Sequence, residues 1–426
     1  MKRFFSNISG FYKLPLKERQ QQLAELSKLD KEEIRLLENL GYLSHDQIDT
    51  FIENVVGSYQ LPMGVALNFK VNEKDYIIPM VIEEPSVVAA ASNMAKVARK
   101  LGGFQSEEVK SIMISQIQLT NIRDINDAKE KLQRNKDKIL ELANEQDPYL
   151  NKLGGGAIDL EIREIDTRKG KMIIVHLLVD VLDAMGANVV NTMAEAVSPY
   201  IETLCNAKIY LRIVSNLATY RLAKCKAVFD KELLGGEEIV EGILNAYEFA
   251  LADPYRATTH NKGIMNGIVA LALATGNDTR ALEAGAHSYA SLEGSYKPLT
   301  KFELDSDGNL VGEVELPLAF GIIGGITKSH PMARLALKIL NVKSASELSQ
   351  IAAAVGLAQN VGALRALAAE GIQKGHMTLH SRNIAKLAGV PDNLVEEVAR
   401  KIVEDHKIRV DYAKEVLKKI IKNKKV

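Results

Sequence analysis

The spacing of apolar residues changes near residue 111, and the series of elements beyond that point limits the available folds more than any other feature of this chain. "SIMISQIQL" reads as a strand, the charged stretch "INDAKEKLQRNKDKILELANE" as an amphipathic helix, "AIDLEIREI" as an alternating strand and "KMIIVHLLVD" as a buried one. A helix from about Asn188 to Leu204 and the strand "AKIYLRIVS" complete the series. Side chains repeat every two residues on a strand and every 3.6 on a helix, so the order is βαββαβ, the split βαβ or ferredoxin-like arrangement. It fills about 108–217 and interrupts helical sequence. "PLKERQQQLAELSKL" and "DKEEIRLLENLG" precede it, the second opening on the cap Asp30, and alanine-rich helical sequence resumes at Leu217 and runs to about 375. The expected fold class is α+β: a large, mostly helical domain from 1–107 and 218–375, a small inserted domain at 108–217, and a last helical segment at 376–426.

A chain of 426 residues suits two or three domains rather than one simple core. Lys+Arg and Asp+Glu both number 54, and this balance argues against a general nucleic-acid or acidic-membrane binder, so whatever is bound is bound locally. Two cysteines, Cys205 and Cys225, and the lack of a basic-then-apolar leader (Arg3-Phe4-Phe5 meets Ser6 and Asn7 at once) predict a reduced, cytoplasmic protein. No apolar run nears the roughly 20 residues needed to span a bilayer, so no membrane partner is expected. The terminal "KKIIKNKKV" reads as a solvated helix end.

The stretch "ATTHNKGIMNGIVALALATGND" poses a chemical question, because Lys262, Asn266 and Asp278 interrupt an apolar, glycine-rich helical segment where burying a charge is costly. Either these groups partner one another or they serve a substrate. "DAMGAN", Asp183 to Asn188, comes directly after the buried strand and opens the next helix; free N–H groups there, with Gly186 permitting close backbone approach, suit a pyrophosphate, while a plain strand-to-helix turn is the alternative. No G-x-G-x-x-G occurs. "GHMTLH" sets His376 and His380 four apart, but Met377 stands where a zinc-protease helix needs glutamate, so no metal is expected and acid/base work is the better reading of His376. "IEEPSVVAAAS" places Glu83 and Glu84 before Pro85, which fits the first turn of a helix with Ser86 just inside it.

"ENVVG" (Glu53 to Gly57), "EEPSVVAAAS", "DAMGAN", "DPYRATTHNKGIMNG", "ATGND" and "GHMTLH" occur in an order and spacing that resembles class II, bacterial-type 3-hydroxy-3-methylglutaryl-CoA (HMG-CoA) reductase along nearly the whole chain. The resemblance implies a large domain binding the acyl-CoA, a small ferredoxin-like domain binding the nicotinamide cofactor, a mobile C-terminal flap, and a homodimer with active sites at the subunit interface. It implies conversion of HMG-CoA to mevalonate and CoA through a hemithioacetal and mevaldehyde, or the reverse. Lys262, held by Asp278 and Asn266, would be the cation at the carbonyl oxygen, Glu84 the acid that protonates the alkoxide, and His376 the donor to the departing thiolate. Ser86 and Arg256 would hold the hydroxymethylglutaryl end, with Gln359 beside them. Asp183, Met185, Gly186, Ala187 and Asn188 would bind the cofactor, and Asp147 would favour NADH, with NADPH possible. A CoA-dependent lyase without hydride transfer and a binding protein that has kept the fold are the competing readings.

Overall fold

The computed structural model describes residues 5–41, 43–369 and 381–423, so His376 and the rest of "GHMTLH" lie outside the described residues. Among the described residues ten strands form two sheets: β1 (Met63–Val71), β2 (Lys74–Val81), β3 (Phe104–Ser106), β4 (Ile112–Thr120), β5 (Gly156–Thr167), β6 (Gly170–Asp180), β7 (Lys208–Ser215), β8 (Leu222–Phe229), β9 (Thr300–Leu304) and β10 (Leu310–Pro317).

The four-stranded sheet has the order β5-β6-β4-β7, with every pairing antiparallel. Helices between β4 and β5 and the helix Ala187–Cys205 between β6 and β7 give the element order read from the sequence. Their apolar faces meet one side of the sheet in a core that includes Met113, Ile117, Val175, Leu177, Met193 and Val197. The helix expected between β4 and β5 is two, Ile125–Arg134 and Lys136–Asn144, broken at Asn135. Asn135 leaves helical geometry at ψ 13°; its amide donates to the Lys131 carbonyl and its side-chain oxygen accepts from the Tyr200 hydroxyl, so local bonds replace the continuing helix.

The six-stranded sheet, order β2-β1-β3-β8-β10-β9, lies in the regions on either side of the insertion expected to be mostly helical, and none of its strands is singled out in the sequence. It draws strands from both sides, and β3 is the joint: Phe104 pairs with Val71 in parallel and with Ala227 antiparallel. Phe104 is fully buried between Phe69, stacked at 5.5 Å, and Phe229, edge-on at 6.2 Å. Glycine is required next to this joint, since Gly103 has φ +86° and a Cβ there would lie 2.4 Å from the Lys70 carbonyl oxygen.

Helix Ala345–Ala369 packs against this sheet and against helix Pro254–Ala274. It is long and apolar enough in composition to cross a membrane, which a search for unbroken apolar runs misses. Most of it is buried inside the protein, so here it serves as a core helix. The two N-terminal helices, Leu16–Ser27 and Lys31–Glu38, bury Leu23 and Leu37 against Leu335 and Ile339. Asp30 caps the second, accepting from the Glu32 and Glu33 amides while Glu33 reaches back to the Asp30 amide. Residues 381–423 form an apolar cluster of their own around Val398, Ile402, Ala413 and Val416.

Candidate active site

Helix Pro254–Ala274 starts at Asp253, whose carboxylate accepts from the Tyr255 amide at 3.0 Å, with Pro254 in the first turn. Its buried side carries His260, Asn261, Ile264, Gly267, Ile268 and Leu271. Lys262 lies on the opposite side with its side chain 59% exposed. The expectation that Lys262 is buried and held by Asp278 and Asn266 is therefore corrected within the single chain. Its Nζ stands 3.3 Å from Oε2 of Glu84, a residue 178 positions away. Asn266, one turn on and half-buried, makes no hydrogen bond to it. Asp278 occupies the N-cap of helix Thr279–Tyr289, accepting from the amides of Arg280 and Ala281, and pairs with the Arg280 guanidinium at 3.3 Å. Burial alone would raise the Asp278 pKa, but Arg280 and the Ala281 amide outweigh it and hold the carboxyl below its usual value.

Glu84 enters from the turn after β2. The helix there starts at Val87, so Pro85 precedes it rather than filling its first turn, and Ser86 is the N-cap rather than an internal residue. Ser86 has φ +77°, a left-handed conformation that costs a serine free energy, and its hydroxyl caps no amide. Among the described residues the Ser86 hydroxyl makes no hydrogen bond, so nothing local offsets that cost.

Two further polar groups lack partners. Arg256, half-buried on the Lys262 helix, makes no hydrogen bond or ion pair among the described residues, and desolvation lowers its pKa. Gln359, on the long helix, is buried with its Oε1 unsatisfied. A buried acceptor without a donor costs about 1–3 kcal/mol, so an incoming donor at Gln359 would be stabilised. Nearby, His260 Nε2 meets the Thr300 hydroxyl at 2.6 Å, that hydroxyl meets Asn360, and the Asn360 amide donates to the His260 carbonyl, while the buried His260 Nδ1 has no partner among the described residues.

The Asp183–Asn188 turn lies at the end of β6. Gly186 has φ +103°, and a Cβ there would lie 2.7 Å from Val181. It opens the 19-residue helix Ala187–Cys205 with no side chain capping the first amides, so the N–H groups at Ala187 and Asn188 are left for an anion. The groups present therefore fit a dinucleotide diphosphate. Met185 is half-buried and Asn188 exposed on the rim. Asp183 does not face a ligand with its bonded oxygen, which accepts from the Ala345 amide at 2.7 Å and so starts the long helix. Asp147 caps the short helix Pro148–Lys152 through the Leu150 amide. A Cβ on Gly155 would meet Leu150, the Asp180 carbonyl and Leu182, so Leu150 lies close to the end of β6. Among the described residues no cluster of histidine, cysteine or acidic side chains has metal-binding geometry.

Two residues that the sequence did not single out adjoin these turns. Asn277, beside Asp278, accepts from the Gly321 amide at 2.7 Å, and Arg221 is fully buried beneath the Asp183–Asn188 turn. Arg221 directly precedes a strand of alternating small and charged residues, "LAKCKAVF", so nothing in the pattern separates it from the solvated lysines of that strand.

Residues 15–381 match the family described as Hydroxymethylglutaryl-coenzyme A reductase. The chain belongs to this family. A 3-hydroxy-3-methylglutaryl-coenzyme A reductase of Archaeoglobus fulgidus is 59% identical over 415 residues, spanning 97% of this chain and 95% of its own. A reductase structure from Streptococcus pneumoniae superposes with a TM-score of 0.83 at 40% identity, covering 97% of this chain and 99% of that one. A class II reductase structure from the same organism, bound to NADPH in open conformations, gives a TM-score of 0.82 at 42% identity over 84% of this chain and 99% of its own.

His260 offers a test of how this part of the reductase tolerates acid. Burial first, and the nearby Arg256 charge second, lower its pKa to about 3, so it folds neutral. In the unfolded chain it takes a proton below about pH 6.5. Its contribution to stability is thus complete above that pH and is lost as pH falls toward the folded value. The wild type is expected to lose ground on His260→Gln between pH 6 and pH 4, by up to about 1.4 kcal/mol per pH unit, in urea denaturation. A stability difference that does not change with pH would refute the assignment.

Proposed function

We propose that this chain reduces HMG-CoA to mevalonate and free CoA with two equivalents of a reduced nicotinamide cofactor, passing through a hemithioacetal and mevaldehyde. The observation that carries the reading is the Lys262–Glu84 pair, 3.3 Å apart on an open rim, with the unpartnered Arg256, the strained Ser86 and the unsatisfied Gln359 on the same or adjoining elements. When bound, the cofactor supplies a hydride to the carbonyl carbon. Lys262 then stabilises the negative oxygen, a donor role worth more in a water-excluded site, and Glu84 is within reach to deliver the proton that makes the alcohol. Arg256 suits the substrate carboxylate and Ser86 its polar groups. In the first half of the reaction the C–S bond breaks and the thiolate takes a proton, which the family resemblance gives to His376. The same groups serve the reverse oxidation, so direction is set by concentrations. Asp278 supports the site through the turn it caps.

The division of labour matches the sheets. Residues 1–107 and 218–375, sharing the six-stranded sheet, form the acyl-CoA domain; 108–217 form the cofactor domain; and 376–426 form a flap, a reading supported by the separate apolar cluster of 381–423. A homodimer completes the site. The segment around "ENVVG" exposes Ile52, Val56 and Tyr59 at 65%, 103% and 89%, an apolar set unsuited to water, and the Lys262 rim is open in the single chain. Val56→Lys is expected to leave the fold of each subunit intact but to shift the species in sedimentation velocity toward the monomer, with loss of turnover. An unchanged dimer would place the interface elsewhere.

The roles of Lys262 and His376 separate by substrate. Monitored at the reduced-nicotinamide absorbance band, Lys262→Ala is expected to lose on the order of 10²–10³ in turnover on HMG-CoA and on free mevaldehyde alike. His376→Gln is expected to lose far more on HMG-CoA, because mevaldehyde carries no sulfur leaving group. Equal losses for His376→Gln on both substrates would remove the thiolate role, and no absorbance change with either cofactor in the wild type would favour a lyase.

Cofactor preference is assigned to Asp147. A carboxylate near the adenosine ribose accepts from its hydroxyls and repels a 2′-phosphate, by roughly 4 kcal/mol for a close charge pair near the surface. NADH is expected to be the better cofactor, and Asp147→Ala to narrow the ratio of the two kcat/KM values. Equal efficiencies unchanged by the substitution would show that Asp147 is not at the ribose.

A further inference from the structure

The turn between β6 and helix Ala187–Cys205 is held from beneath by a side chain outside every sequence motif. Arg221 is 1% exposed. Its Nη1 donates to the carbonyls of Ala184 and Met185, both at 3.1 Å, and its Nη2 donates to the carbonyl of Phe320. The Arg221 carbonyl accepts in turn from the Leu318 amide at 3.0 Å. Burial lowers the guanidinium pKa to about 10, partly offset by Asp180 and Asp183, so it stays charged at neutral pH. Among the described residues no carboxylate touches it, and a buried cation satisfied by carbonyls is expensive to keep.

The geometry shows what this cation does to its surroundings. Carbonyls of two consecutive residues turned onto one planar fork leave the other side of the turn to the amides that open the helix. The strap 318–322, held by the same fork at Phe320, comes so close that a Cβ on Gly321 would lie 2.5 Å from the Met185 nitrogen. The Gly321 amide donates to Asn277, next to Asp278, and the Ile322 amide donates to the Asp183 carbonyl. One guanidinium thus ties the Asp183–Asn188 turn to the turn that carries Asp278.

We infer that Arg221 is a positioning residue for the cofactor diphosphate: it fixes the turn whose amides receive the anion and places a positive charge beneath it. The inference rests on the reading of Asp183–Asn188 as the dinucleotide site. Lysine would keep the charge but, as a point donor, cannot hold three carbonyls in one plane.

The test is binding rather than turnover. Dissociation constants for NADH, from its fluorescence, and for ADP and adenosine, by competition against it, are measured on wild type, Arg221→Lys, Gly321→Ala and Ala187→Glu. Arg221→Lys is expected to weaken NADH and ADP by about tenfold to a hundredfold, while adenosine binding and the KM for HMG-CoA stay within about twofold of wild type. Gly321→Ala, which wedges the strap from the turn without touching the guanidinium, is expected to weaken NADH in the same sense and carries the test if Arg221→Lys does not fold. NADH affinity unchanged in Arg221→Lys, or equal losses for NADH, adenosine and HMG-CoA, would overturn the inference. Ala187→Glu sets a carboxylate at the helix start, where it is structurally tolerated but repels a diphosphate. If that variant binds NADH normally, the turn is not the dinucleotide site and the underlying reading fails, whatever Arg221 does.

Discussion

Two helices lie closer together than side chains normally permit, and the site depends on that approach. A Cβ on Gly267 would stand 2.9 Å from the Val355 side chain, and one on Gly356 would stand 2.8 Å from the Ile268 side chain, so helices Pro254–Ala274 and Ala345–Ala369 each seat a side chain of the other on a bare glycine. Packing this tight fixes the rotation of the first helix: Ile264, Gly267 and Ile268 must face the long helix, which leaves Lys262 on the far side. The lysine that looks misplaced among apolar residues never enters the core. The glycines and alanines around it exist for the neighbouring helix, and the charge exists for the rim.

Much of this was legible in the sequence, and the failures have physical causes. The region 108–217 could be read because β5 and β6 carry a clear two-residue alternation or an unbroken apolar run next to well-marked helices. The six-stranded sheet could not be read as easily. β1 is interrupted by a register shift between Ala66 and Phe69, where Asn68 has φ +70°, β3 is three residues long, and β8 alternates lysine with alanine and cysteine, small residues that resemble the helical sequence around them. In β10, Glu313 and Glu315 do alternate with buried Val314 and Leu316, but alanine-rich helices on either side mask the short period.

Among the residues singled out, the pairings were the part the sequence did not disclose. Lys262 and Glu84 stand out in their own segments, yet nothing local says that two positions 178 residues apart will meet. Asp278, expected beside the lysine, obeys a more local rule, because an aspartate at the start of a helix satisfies orphan amides wherever the rest of the chain lies. Arg221 is the converse case. Its importance comes from the carbonyls that surround it, and a carbonyl has no signature in a sequence.

The short strand β3 also bears on how the chain comes off the ribosome. The Ser106 hydroxyl bonds to the Lys224 carbonyl, 118 residues later, so the half-sheet β2-β1-β3 has no neighbour at its β3 edge until the whole of 108–217 has been made. At roughly 5–20 residues per second that edge waits on the order of ten seconds. The inserted segment has its own core and its own closed set of strand pairings, so it has the means to fold during that interval and to bring β8 to the waiting edge. The segment is then placed to act as an intramolecular escort: its folding would bring together the two ends on which the larger sheet closes.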